Sequence, residues 1–160
     1  MKIMRALILL FAFAFAAVAA DGKRHEQEDA VREAVFRYQF TNNAAHGPAT
    51  AEKKIEAYYL SIGEKDADPA DAFMNRFAGN KPPVRKVSEC SMAKMRVTDK
   101  QTGKRGLIFR VSLIKWISDT EAEVKGGYYE DGLSASGNTY RVKKKGGTWQ
   151  ITKDTMDWIS

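Results

Sequence analysis

The chain has 160 residues, 26 Lys and Arg against 20 Asp and Glu for a formal net charge of +6, and a single cysteine. That length suits one ordinary domain with a real core, and one cysteine excludes an intramolecular disulfide. The basic residues are scattered in short clusters at Lys81, Arg85 and Lys86, at Lys104 and Arg105, and at Lys143 to Lys145. These read as solvated turns rather than a nucleic-acid-binding stripe.

The first predicted element is an export signal over residues 1–20. Lys2 and Arg5 precede an unbroken apolar run from Ala6 to Ala20 that ends in small residues. Val18, Ala19 and Ala20 place the expected cut before Asp21 or one residue earlier, and no cysteine follows to take a lipid. The expected location is periplasmic or secreted, with residues 21–160 forming one domain that has no transmembrane segment. Removing residues 1–20 takes away two of the 26 basic residues and none of the acidic ones, leaving a balance of +4.

An amphipathic helix is predicted from Glu26 to about Ala45, with Ala30, Val31, Ala34, Val35 and Tyr38 as its stripe and Phe36 and Phe40 off it. His46-Gly47-Pro48 ends it. Lys54 to Ile62, rich in aromatic and branched residues, predicts a strand, and Gly63 starts a turn. A short second helix follows, with Asp68 as N-cap, Pro69 at the first helical position, and Phe73 and Phe77 as its buried stripe. Gly79 and Pro82-Pro83 close it.

The remainder reads as strands and turns. Arg105 to Ile117 alternates, placing Leu107, Phe109, Val111 and Leu113 on one face and Ile108, Arg110, Ser112 and Ile114 on the other. Ser118-Asp119-Thr120 turns the chain into Glu121 to Glu130, where Gly126-Gly127 predicts a bulge or sharp bend. Tyr140 to Lys145 and Thr148 to Asp154 form a hairpin across Gly146-Gly147. The predicted fold class is α+β, a long N-terminal helix packed on a strongly bent antiparallel sheet.

In element order this resembles the NTF2-like, or cystatin-like, superfamily of cone-shaped domains. The segments DPADAFMNRFAGNKPPV, DKQTGKRGLIFRV, GGYYEDGLSASGNTY and the closing WIS look like those of uncharacterised secreted bacterial proteins. The resemblance implies the fold and export. It also implies, for enzymes of the superfamily, a site inside the cone where His, Asp or Tyr moves protons on a small apolar substrate.

Neither histidine falls on an inward strand position, since His25 is near the expected mature terminus and His46 closes the first helix. No HExxH, GxSxG, Gly-rich phosphate loop or cystatin-type Gln-x-Val-x-Gly loop occurs, so no catalytic residue, metal or cofactor is assigned. Asp66, Asp68 and Asp71 lack the glycine and terminal glutamate of a calcium loop. Cys90 reads as a buried small hydrophobe.

Ligand-binding candidates are Arg110, Tyr128, Tyr129 and Tyr140, around the small-residue loop from Glu130 to Thr139. Tyrosines there offer an apolar wall with a polar tip, and Arg110 a charged partner. Interface candidates, for a homodimer, are Ile108, Ile114 and Trp116 on one exposed strand face. Trp158 and Ile159 are expected to dock onto the domain or meet a partner. The leading expectation is an exported, non-catalytic binding domain for a small apolar or amphiphilic ligand or an envelope partner. The alternatives are a small isomerase, dehydratase or hydrolase using Tyr128, Tyr140 or Arg110, and a dimerising interaction module.

Overall fold

A computed structural model describes residues 3–43 and 54–160, with side chains from residue 22 onward. The chain divides into two units, Met1–Ala30 and Val31–Ser160. The first is helical from Ile3, and that helix, α1, runs from Ile3 to Thr41. Among the described residues no helix is long and apolar enough to cross a membrane. His46-Gly47-Pro48, the predicted helix stop, lies outside the described residues.

The second unit is α+β. Its helical part packs through Val31, Val35, Phe36, Gln39 and Phe40, all buried. This corrects the predicted stripe: Phe36 and Phe40 lie at its centre, while Ala34 and Tyr38 are only half-buried. The reason is aromatic packing. Phe40 meets Tyr58, Phe77 and Phe109 at ring-centroid distances of 5.0, 5.7 and 5.1 Å, and Phe36 meets Phe73 and Phe77 at 6.1 and 6.3 Å.

After α1 the elements are β1 (Ala57–Ile62), α2 (Asp71–Met74), β2 (Val84–Lys86), β3 (Cys90–Ser91), β4 (Thr98–Asp99), β5 (Gly106–Ser118), β6 (Glu121–Asp131), β7 (Ser134–Lys145) and β8 (Thr148–Ile159). Six strands form one sheet in the order β2-β1-β5-β6-β7-β8, and β3 pairs with β4 in a separate ribbon. The sheet is mixed rather than antiparallel, since β1 runs parallel to both β2 and β5. Long connections, unlike hairpins, return the chain in the same direction. Only β5 to β8 form the expected antiparallel meander.

Asp68 does not cap α2. The N-cap is Ala70, without a side-chain cap bond, and Asp68 Oδ1 instead accepts the Ser88 N–H at 2.9 Å. Phe73 and Phe77 are buried as expected. The Gly146-Gly147 hairpin forms between Lys145 and Thr148, with φ of +55° and +83°.

The bulge expected at Gly126-Gly127 sits in the facing strand, where the register steps between Val111 and Leu113 opposite Gly126 and Lys125. One extra residue reverses the alternation beyond it. Phe109, Val111, Ile114 and Trp116 therefore share a face with Tyr128, Gly126, Val124 and Ala122, because directly paired residues project the same way. Tyr38 and Phe40 of α1 pack on that face, which is the helix face. Ile108 and Arg110 project to the opposite, open face.

The three predicted interface residues are thus split. Ile108 is 1% exposed, in a second small core with Ala57, Tyr59, Cys90 and Val97. Ile114 and Trp116 lie on the helix face, half-buried, with Trp116 edge-on to Trp149 at 5.6 Å.

In the second core Tyr59 Oη donates to Asp99 Oδ2 at 2.7 Å and Arg85 Nη1 donates to the same oxygen at 2.8 Å. Asp99 Oδ1 accepts the backbone N–H groups of Gln101 and Thr102 at 3.0 and 2.8 Å, fixing the loop before Gly103. The Tyr59 bond first, then the Thr102 N–H, hold the Asp99 carboxyl well below the usual carboxylate range. A depressed folded value stabilises the fold fully above the ordinary carboxylate pKa, and that stability disappears as pH falls through the folded value. The urea midpoint should therefore drop on acidification below about pH 4. Asp99→Asn should lower the midpoint at neutral pH and flatten the acid limb, whereas an unchanged slope would contradict the assignment.

Cys90 is buried beside this network, and burial pushes its thiol up to about 11. The neutral thiol is a poor nucleophile. Iodoacetamide at about pH 8 is expected to label the unfolded chain rapidly and the folded chain at least tenfold more slowly. Equal rates, compared by mass, would refute the inert packing role.

Candidate functional site

Gln39 organises the helix face of the site. It is 2% exposed and projects from α1 onto the meander opposite the bulge. Its Nε2 donates to the carbonyl oxygens of Arg110 at 3.2 Å and Gly127 at 3.3 Å, and to Tyr140 Oη at 3.3 Å. The two carbonyl acceptors set the orientation of the amide. Gly126 makes room for it, because a Cβ there would lie 3.0 Å from Nε2. Gln39 Oε1 is buried without a partner among the described residues.

Around the amide runs a polar chain. Ser136 Oγ donates to Asn138 Oδ1, and Asn138 Nδ2 to Asp154 Oδ1, both at 2.8 Å. Asp154 also accepts from Tyr38, whose ring meets that of Tyr140 at 5.9 Å. A cavity of about 60 Å³ lies here, lined by Gln39, Tyr128, Asn138, Tyr140 and Asp154 among others. Burial, then the Asp154 charge, raises the Tyr38 phenol, and burial likewise raises Tyr140 against the opposing Gln39 bond. Both remain protonated near neutral pH, so they act as hydrogen-bonding groups and not as bases. The volume suits one or two waters rather than an organic ligand.

The open face differs. Cross-strand pairing places Arg110 beside Gly127, Gly127 beside Gly137, and Gly137 beside Trp158, a single row over four strands. With strands about 4.8 Å apart, the row spans about 14 Å. Its two central positions lack side chains, and with the Trp158 indole lying across Gly137 they leave a groove of about 400 Å³ between Trp158 and Arg110, also lined by Ser112, Lys125 and Asp157. Backbone closes Gly127 to any side chain, and the Trp158 indole occupies the space above Gly137. A Cβ on Gly127 would lie 2.9 Å from the Ser136 carbonyl carbon and nearer still to its oxygen, and one on Gly137 would lie 2.6 Å from Trp158 Cε2.

The charges across this groove balance. Arg110 is bound by both oxygens of Asp66, through Nε and, at 2.9 Å, through Nη2, while Ser61 Oγ steadies Asp66 at 2.7 Å. Lys125 contributes one cation and Asp157 one anion, the latter accepting from Thr139 Oγ1 at 2.7 Å. Trp158 remains 54% exposed, an accessible aromatic plane.

The four predicted ligand residues do not converge. Tyr128 and Tyr140 line the small cavity on the helix face, while Arg110 walls the groove on the open face. Tyr129 pairs with Ile108 on the open face, where its Oη donates to Met95 O at 3.0 Å, away from both pockets. Gln39, Gly137 and Asp154 were not picked out from sequence. The signal available for Gln39 was an uncharged polar residue between Tyr38 and Phe40, four positions from Val35 on the apolar face. Among the described residues no group of three or more His, Cys, Asp or Glu side chains is placed to hold a metal ion.

No protein-family model, curated protein or solved structure matches the chain.

Proposed function

We propose that this is an exported, non-catalytic binding domain of NTF2-like architecture that takes a small amphiphilic molecule in the groove on its open face. The apolar part of the ligand lies against the exposed side of the Trp158 indole, which itself covers Gly137, and over the bare backbone of Gly127. Its polar part meets Lys125, Ser112 and Asp157. The cross-strand row Arg110-Gly127-Gly137-Trp158 carries this reading, since it leaves a ligand-sized groove between an aromatic plane and charged groups. Arg110 is already neutralised by Asp66, and Lys125 and Asp157 offset one another. The groove therefore favours a neutral or zwitterionic head over a polyanion.

The α+β order, with the C-terminal part of α1 packed on a sheet carrying bulges in β5, β6 and β8, supports the NTF2-like assignment. The apolar run at Ala6 to Ala20 supports export. The protein secreted from a native-like host should show a native mass above its denatured mass, the excess disappearing in Trp158→Ala. Trp158 is half-exposed, so that variant should keep its fold, checked by circular dichroism. A bare wild-type mass, or an excess retained by the folded Trp158→Ala protein, would overturn the proposal.

A further inference from the structure

A different part of the surface combines exposed apolar groups with unpaired cations. The segment 92–96 lies against the turn between β6 and β7, joined by a bridge between Arg96 and Asp131 and by the Val97 N–H donating to Glu130 O at 2.9 Å. Leu133 at the turn is 89% exposed, Met95 67% and Met92 53%. Met95 reaches the turn, since a Cβ on Gly132 would sit 3.4 Å from its Cε.

Local conformation presents these side chains outward. Lys94 and Met95 are consecutive residues with φ of +55° and +56°, a region costly to residues with a Cβ. The Tyr129 Oη bond to Met95 O holds them there. Strain persists only where surrounding contacts impose it, and such sites cluster at functional surfaces.

The charges complete the pattern. Lys94 and Arg96 are exposed, with no ion-pair partner among the described residues. The two acids at the turn are engaged elsewhere: Arg105 Nη2 binds Glu130 Oε1 at 2.7 Å and Asp131 Oδ2 at 3.1 Å, and Ser134 Oγ donates to Glu130 Oε2 at 2.9 Å. Free cations thus flank flexible apolar side chains at one tip.

We infer that this tip docks onto a lipid surface bearing anionic headgroups. Leu133 and Met95 enter the boundary between headgroups and acyl chains, and Lys94 and Arg96 meet the phosphates. Apolar insertion combined with basic contacts is how a folded domain rests on a membrane without spanning it. Two cations and three apolar side chains give weak, salt-sensitive and reversible attachment. This surface is separate from the Trp158 groove.

The apolar run at Ala6 to Ala20 would bind vesicles in its own right, so the test reads position. Leu133→Cys in the full chain is labelled with the environment-sensitive dye NBD, and Asp119→Cys, in the turn at the other end of β6, carries the control label. Buried Cys90 is retained. With vesicles containing phosphatidylglycerol the dye at position 133 should shift to the blue and that at 119 should not. Pure phosphatidylcholine should give a much smaller shift. Adding Lys94→Glu and Arg96→Glu should weaken the response by about 30-fold or more, for roughly 1 kcal/mol per cation lost. No shift at 133, equal shifts at both sites, equal response to both lipids, or a response that survives charge reversal would overturn the inference.

Discussion

Phe40→Ala is expected to destabilise the domain by about 4 kcal/mol, the largest single effect at any position on α1. The ring is 8% exposed and touches Tyr58, Phe77 and Phe109, which come from three separate elements. Truncation removes the transfer free energy of the ring and leaves a cavity bordered by rigid aromatic neighbours, which collapse poorly into the gap. Urea unfolding should show a lower midpoint at an unchanged slope. A loss under 1 kcal/mol would mean that α1 is not packed on the sheet through this residue.

Gly127→Ala is expected to cost about 3 kcal/mol through overpacking. The added methyl would collide with the Ser136 carbonyl group and approach Gly137 Cα to 3.1 Å, and both obstacles are backbone of a paired strand. A flexible side chain could swing away, whereas ladder hydrogen bonds resist such movement. Gly103→Ala is the matched control. Its φ is +68°, but nothing lies within 4 Å of an added Cβ, so only the left-handed conformational cost of about 1–2 kcal/mol applies. Near-equal losses for the two variants would show that steric collision at Gly127 does not contribute. Any remaining folded Gly127→Ala protein should also lose the bound mass, because the methyl reshapes the groove floor.

These two expectations rest on different levels of legibility. The period of α1 and the apolar character of its segment were readable from local spacing. The choice of Phe36 and Phe40 over Ala34 and Tyr38 as its inward centre was not, because it depends on the rings supplied by β1, α2 and β5. Gly126-Gly127 announced an irregularity, yet the extra residue lies in β5. A pair of glycines marks where backbone comes close, and the register of the facing strand decides which chain yields.

The consequence for the site is large. Simple alternation placed Ile108, Arg110, Ser112 and Ile114 on one face, with Trp116 next in the same sequence. One bulge between Val111 and Leu113 put Ile114 and Trp116 on the helix face and left Ile108 and Arg110 opposite. A one-residue offset exchanges the faces of every later side chain, and nothing local to β5 signals it. The groove was equally hidden, for its walls come from residues 48 positions apart and its floor from two further strands.

Composition, hydrophobic period and turn chemistry were sufficient for the α+β class, the meander from β5 to β8, the Gly146-Gly147 hairpin and the burial of Phe73, Phe77 and Cys90. Those features follow from interactions within a few residues, where spacing along the chain equals spacing in the fold. The parallel pairing of β1, the partners of Gln39, the neutralisation of Arg110 by Asp66 and the glycine row beneath Trp158 required the assembled sheet. Each depends on strand order and register, which arise from contacts between segments distant in the chain and leave no periodic trace in either segment alone.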